Sequence, residues 1–145
     1  KAWKQGLLLG VQSSSDHVST HTSYAVLYVT EISREAALEA IRARRAYAAT
    51  DNIVVDFRLN GRLMGESFAS AETPRLWARV EGTAAIRKVE VIRNNTYIHT
   101  QPGRGPALEF SYADNQPPSG QSYYYIRVEQ TDGQLAWSSP IWVRR

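Results

Sequence analysis

The segment Ser14-Ser15-Asp16-His17-Val18-Ser19-Thr20-His21 holds two of the chain's three histidines and a carboxylate. Carboxylate oxygens and neutral imidazole nitrogens are the donors that zinc, iron and manganese accept. Clustered behind the apolar run Leu7-Leu8-Leu9, Asp16, His17 and His21 predict one corner of a metal site at a strand end. A nucleophilic triad is a poor alternative. No Gly-x-Ser-x-Gly turn carries Ser13, Ser14 or Ser15, and adjacent Asp16 and His17 cannot form the hydrogen-bond relay.

Other chemistry-bearing residues read more plainly. His99 falls in a predicted hairpin strand and is expected to be a surface histidine. Thr50-Asp51-Asn52 is expected to cap or turn the chain at a domain junction. Gly103-Arg104-Gly105 is too short for a phosphate loop and lacks a following Lys-Ser/Thr. Trp77, Tyr97, Tyr123, Tyr124, Tyr125, Trp137 and Trp142 are expected to serve as core and cross-strand pairs. A sugar-stacking platform is the alternative use of the same rings.

The elements that position these residues change character near Asp51. Before it, residues 1–10 predict a helix end running into a strand, and residues 11–13 a short buried strand. Tyr24-Ala25-Val26-Leu27-Tyr28-Val29 is apolar without alternation, which predicts a strand buried on both faces. Ser33 is the expected N-cap of a helix, with Glu35 in its first turn and Arg42, Arg44 and Arg45 near its end. Leu38 and Ile41 form its expected apolar stripe. Strand, loop, strand and helix together make an α/β pattern.

After Asp51 the period becomes two. Ile53, Val55, Phe57 and Leu59 share one face, and Asn60-Gly61 follows as a strong turn signal. Further strands are predicted over residues 76–80, 86–93, 96–100, 107–112, 123–129 and 134–137, with residues 138–143 closing the chain. Asn94-Asn95 and Thr131-Asp132-Gly133 are the expected hairpin turns, and Pro140 marks a bulge or an edge. Short strands at this spacing predict an antiparallel β-sandwich of immunoglobulin-like type.

Composition narrows the function classes. The 145 residues suit one domain, or one domain and a remnant of another. A hydrophobic fraction of 43% and a charged fraction of 21% argue for a globular chain. The net charge of +3 is spread along scattered arginines, so no nucleic-acid partner is expected. The absence of cysteine excludes disulfides, thiolate zinc sites and cysteine nucleophiles. No apolar run approaches the roughly 18 residues of a membrane span, so no membrane partner is expected. The chain lacks an initiator Met, as a mature form or an excised fragment would.

Four stretches resemble a known family. Residues 14–24, Ser14-Ser15-Asp16-His17-Val18-Ser19-Thr20-His21-Thr22-Ser23-Tyr24, look like the last metal-binding segment of PHP-type (polymerase and histidinol phosphatase) metallohydrolases. Residues 34–52 resemble the helix and exit segment that follow it. Met64-Gly65-Glu66 is similar to the start of that family's C-terminal sandwich, and residues 123–143 to its last hairpin. The resemblance implies a bacterial metal-dependent hydrolase of the phosphoesterase-like kind, and only its C-terminal part. Asp16 and His17 would be metal ligands and His21 a ligand or proton shuttle. The barrel's N-terminal His-x-His segment is not in this chain.

The sequence therefore predicts a mainly β chain. Residues 1–50 would be a short α/β remnant of a PHP (β/α) barrel, and residues 51–145 an antiparallel immunoglobulin-like sandwich. A divalent metal (Zn, Mn or Fe) is expected in the intact protein and none in this chain alone. The expected partner is the barrel of the same protein, with a homodimer as a further possibility. The sandwich would be structural or substrate-gating, and the isolated chain inactive. The alternative function is a non-catalytic sandwich module binding carbohydrate or protein.

Overall fold

The computed structural model describes residues 2–15 and 22–145. A 3₁₀ turn, Trp3–Gln5, opens the chain. Strand β1 (Tyr24–Leu27), helix α1 (Arg34–Arg42) and strand β2 (Ala46–Ala49) follow. Next come β3 (Val54–Leu59), β4 (Arg62–Leu63), β5 (Ser67–Ala69) and β6 (Arg75–Glu81). The hairpin strands β7 (Ile86–Arg93) and β8 (Thr96–Pro102) lead to β9 (Ala107–Ala113). The chain ends in β10 (Gln121–Gln130), β11 (Leu135–Ser138) and β12 (Ile141–Arg144).

These strands make two sheets. The smaller has four strands in the order β4-β3-β6-β9. The larger has eight and is centred on β10, which carries β7 and then β8 on one side and both β11 and β12 on the other. All pairings are antiparallel except β12 with β5. The core lies between the sheets, and period-two alternation places it. Ile53, Val55, Phe57 and Leu59 from β3 and its lead-in are at most 1% exposed. They meet Tyr124, Ile126 and Val128 of β10 in one apolar cluster. The chain is thus mainly β, an antiparallel sandwich of two sheets.

The turns follow from residue chemistry. Asn60 and Gly61 both take positive φ (49° and 79°), which joins β3 to β4 through a tight turn. Asn94 and Asn95 do the same between β7 and β8 (51° and 65°). Asn tolerates the left-handed region better than most residues with a side chain. Ser33 caps α1, its hydroxyl accepting from the Ala36 N–H at 3.1 Å.

The first third of the chain departs from expectation. Strands β1 and β2 flank α1 but pair antiparallel, with Tyr24 opposite Ala49. Barrel repeats place such strands parallel, so the barrel remnant expected there finds no support. Instead β2 pairs antiparallel with β11 and extends the sandwich's larger sheet. The apolar run of β1 was expected to be buried on both faces. It is the sheet's end strand, half-buried with Ala25 exposed. The strand buried throughout is β2, built of Ala46, Tyr47, Ala48 and Ala49. Residues 11–13 form no strand, and residues 2–10 hold only the 3₁₀ turn, closed by left-handed Gly6. Leu38 and Ile41 of α1 are 43% and 53% exposed, and of that helix only Ala40 is buried.

One junction locks α1 to the sandwich. Arg44 follows the helix at φ 59°, where glycine is the usual residue. Its Nε donates to the Gly65 carbonyl at 2.9 Å, and its guanidinium lies 5.7 Å over the Trp142 ring. Those contacts offset the backbone strain. Gly65 is itself at φ 93°, and a Cβ there would sit 2.4 Å from the Arg44 carbonyl oxygen.

Candidate functional site

The metal ligands expected from the sequence, Asp16, His17 and His21, lie outside the described residues. Among the described residues no group of three His, Asp or Glu side chains could hold a metal ion. Their neighbours have structural tasks. The Ser13 hydroxyl donates to the Tyr24 carbonyl at 2.7 Å, and the Ser15 hydroxyl to the Ser23 carbonyl at 2.9 Å. His99 is half-buried rather than a plain surface residue. Its ring stacks on Tyr112 at 4.5 Å, joining β8 of one sheet to β9 of the other. Thr50-Asp51-Asn52 is a turn: Thr50 Oγ1 accepts from the Leu135 N–H at 2.8 Å, and Asp51 Oδ1 from the Asn52 N–H at 2.7 Å.

The aromatics divide between the two faces of the larger sheet. Tyr124 faces the core, where its hydroxyl donates to Asp114 at 2.8 Å. Arg93 shares that carboxylate at 2.6 Å. Burial first, and then the Asp114 charge, push the Tyr124 phenol far up. By alternation Tyr123, Tyr125 and Arg127 face outward. Their register partners Trp142, Ile92 and Trp137 stand on the same outer face.

This outer face carries a row of charges and then a row of rings. Glu90 of β7 accepts from Lys88 at 2.7 Å and from Arg127 at 2.8 Å. The Arg127 guanidinium also lies 5.8 Å over Trp137. Further along β10, Tyr123 and Tyr125 are covered by Trp3, with ring centres 5.6 Å and 5.1 Å away. Residues 2–15 run across the sheet as a strap. Trp3 Nε1 donates to the Leu9 carbonyl at 2.9 Å, the Val11 N–H to Ser139 Oγ at 2.8 Å, and Gly10 abuts Arg44. A Trp at the third position gave no sign of this, because the contact spans 120 residues of sequence.

Between strap and sheet lies a cavity of about 390 Å³, lined by Trp3, Lys4, Gly6, Asn94, Gln121, Tyr123 and Trp142. Tyr123 and Trp142 are 5% and 1% exposed. Burial raises the Tyr123 phenol above its usual range. Asn94 Oδ1 accepts from the Tyr123 N–H at 3.0 Å, which fixes that ring's backbone. The cavity is bordered by the aromatic rings of Trp3, Tyr123 and Trp142. Among the described residues it offers no nucleophile–base pair and no carboxylate dyad.

No protein-family profile matches the chain. It is similar to an uncharacterized protein of Chlamydia trachomatis, 33% identical over 147 aligned positions that cover 89% of this chain and 24% of the relative. Uncharacterized proteins of Chlamydia pneumoniae and Chlamydia muridarum match with the same identity and coverage. The chain thus spans about a quarter of the length of the curated relatives it matches. Among solved structures it is similar to the fibronectin(III)-like modules of Clostridium thermocellum CbhA. The TM-score is 0.45 at 19% identity, covering 61% of this chain and 94% of that one. None of these comparisons supports the resemblance to PHP-type metallohydrolases.

Proposed function

We propose that this chain is a non-catalytic β-sandwich module of a longer protein, and that its first third is the surface on which the rest of that protein packs. One observation carries the reading. Leu7, Leu8, Leu9, Val29, Ile32, Leu38 and Ile41 are all exposed, from 37% upward, whereas beyond Asp51 only Val54 and Tyr97 are large exposed hydrophobics. So many exposed large apolar side chains in one third of the chain are what an interaction surface needs. The occupant proposed is the remainder of the same polypeptide, because the matched relatives are about four times as long as the shared region.

The test uses the full-length protein and this chain side by side. Ile32→Asp combined with Ile41→Lys should leave the melting temperature of the isolated chain unchanged, since both side chains meet solvent there. In the full-length protein the same pair should loosen the module and raise hydrogen exchange across α1. Unchanged exchange in the full-length protein overturns the reading.

The divalent-metal role of Asp16, His17 and His21 is a separate proposal, supported by residue chemistry alone. Elemental analysis of the full-length protein with and without His17→Ala tests it. Stoichiometric metal lost on substitution supports the role, and no metal in the unsubstituted protein overturns it.

A further inference from the structure

Trp142 Nε1 and Tyr123 Oη are both buried and, among the described residues, have no hydrogen-bond partner. Folded chains leave few buried polar atoms in that condition. Here two occur on directly paired residues of neighbouring strands, Tyr123 opposite Trp142. Both residues line the cavity under the strap. Its volume of about 390 Å³ is that of a small-molecule site.

We propose that this cavity binds a pyranose sugar ring. An indole N–H only donates and a phenol can do both, so the ligand must bring acceptor oxygens. Tyr123 supplies a ring face for the apolar face of a sugar once the Trp3 ring leaves it, and Trp142 lines the same wall. Gln121 and Lys4 are exposed at the rim and supply further donors for hydroxyl or carboxyl oxygens. No carboxylate lines the cavity among the described residues. Since the two atoms are closed to solvent, the ring reaches them as Trp3 turns away from Tyr123. The inference goes beyond the packing surface proposed above and stands without it.

The experiment is a titration of this chain followed by ¹H–¹⁵N spectra, in which the four tryptophans give four indole signals. The probes are D-glucose, N-acetyl-D-glucosamine and D-glucuronate, with Trp142→Phe assigning the Trp142 signal. At least one sugar should shift that signal saturably, with a Kd in the millimolar range. Tyr123→Phe should weaken that binding about tenfold, the loss of one hydrogen bond. Its melting temperature should stay level or rise, because the hydroxyl removed had no partner. If Tyr123→Phe fails to fold, Gln121→Ala at the exposed rim replaces it, with weaker binding again expected. No saturable shift with any of the three sugars overturns the proposal. Binding unaltered in the folded variant does so equally.

Discussion

The Tyr47 hydroxyl joins the two sheets, accepting from the Val55 N–H at 3.3 Å and donating to the Ile53 carbonyl at 2.9 Å. Tyr47 belongs to β2 in the larger sheet, and Val55 to β3 in the smaller. Tyr28, just after β1, donates to the Val55 carbonyl from the same side. Two tyrosines from the first third of the chain therefore satisfy backbone atoms of the sandwich.

Tyr47→Phe keeps the ring and removes this link, leaving the Val55 N–H buried and unpaired. The expected cost is about 1–3 kcal/mol, or a fall in melting temperature of about 3–10 °C for a domain of this size. Urea unfolding should show a lower midpoint at an unchanged slope. A variant as stable as the parent would mean that the Tyr47 hydroxyl contributes nothing.

Gly65 makes a second prediction, with its own control. A Cβ there meets the Arg44 carbonyl oxygen at 2.4 Å and the Ala43 oxygen at 2.5 Å, both rigid backbone, at φ 93°. Gly61 has a similar φ of 79° but nothing within 4 Å. Gly61→Ala should cost about 1 kcal/mol for the left-handed backbone alone. Gly65→Ala should cost about 3 kcal/mol or more, because α1 must also separate from the sandwich. Equal losses in thermal melts of the two variants would show that the junction yields freely.

Legibility in the sequence followed the range of the interactions. The β3 face of Ile53, Val55, Phe57 and Leu59 and the Asn60-Gly61 and Asn94-Asn95 turns were readable, because alternation and positive-φ tolerance are local properties. Strand β2 was not. Alanine is a weak strand former, and Ala46-Tyr47-Ala48-Ala49 is a strand because β1 and β11 flank it. The run from Tyr24 misled in the opposite direction, since continuous hydrophobicity reports demand for burial and not its supply. The cavity under Trp3 was invisible for the same reason: its walls come from both ends of the chain. Asp16, His17 and His21 caught attention by residue type alone, and spacing carries no information on what folds beside them.

Glu90 sets an expected pH dependence. Burial pushes its carboxyl up, but hydrogen bonds from Lys88 and Arg127, with their charges, outweigh this and hold it below its ordinary value. A depressed folded value stabilises the protein above the unfolded value, near 4.3. That contribution is lost as the pH falls through the lower folded value. Melting temperatures should therefore drop more steeply below about pH 5 in the parent than in Glu90→Gln. At pH 7 the variant should be less stable by about 1–2 kcal/mol, since charge-assisted bonds are replaced by neutral ones. Parallel pH profiles would remove Glu90 from the acid response.

A fragment of residues 51–145 tests whether the sandwich stands without the first third. It retains β3 to β12 but strips β2 from β11, exposing the ladder of Ala136, Trp137 and Ser138. It also loses Thr50 from Leu135, the Tyr47 link to β3, and the strap over Tyr123 and Tyr125. A free ladder edge beside uncovered aromatic rings is an aggregation template. The fragment should melt at least about 10 °C below the full chain, the equivalent of some 3 kcal/mol, and should self-associate on size-exclusion chromatography. A monomeric fragment with the full chain's melting temperature would make residues 1–50 an appendage of an independent sandwich. The expected loss would instead make β1, β2 and the strap part of one cooperative unit, because their contacts with β3, β10 and β11 would be part of what holds the sheets together.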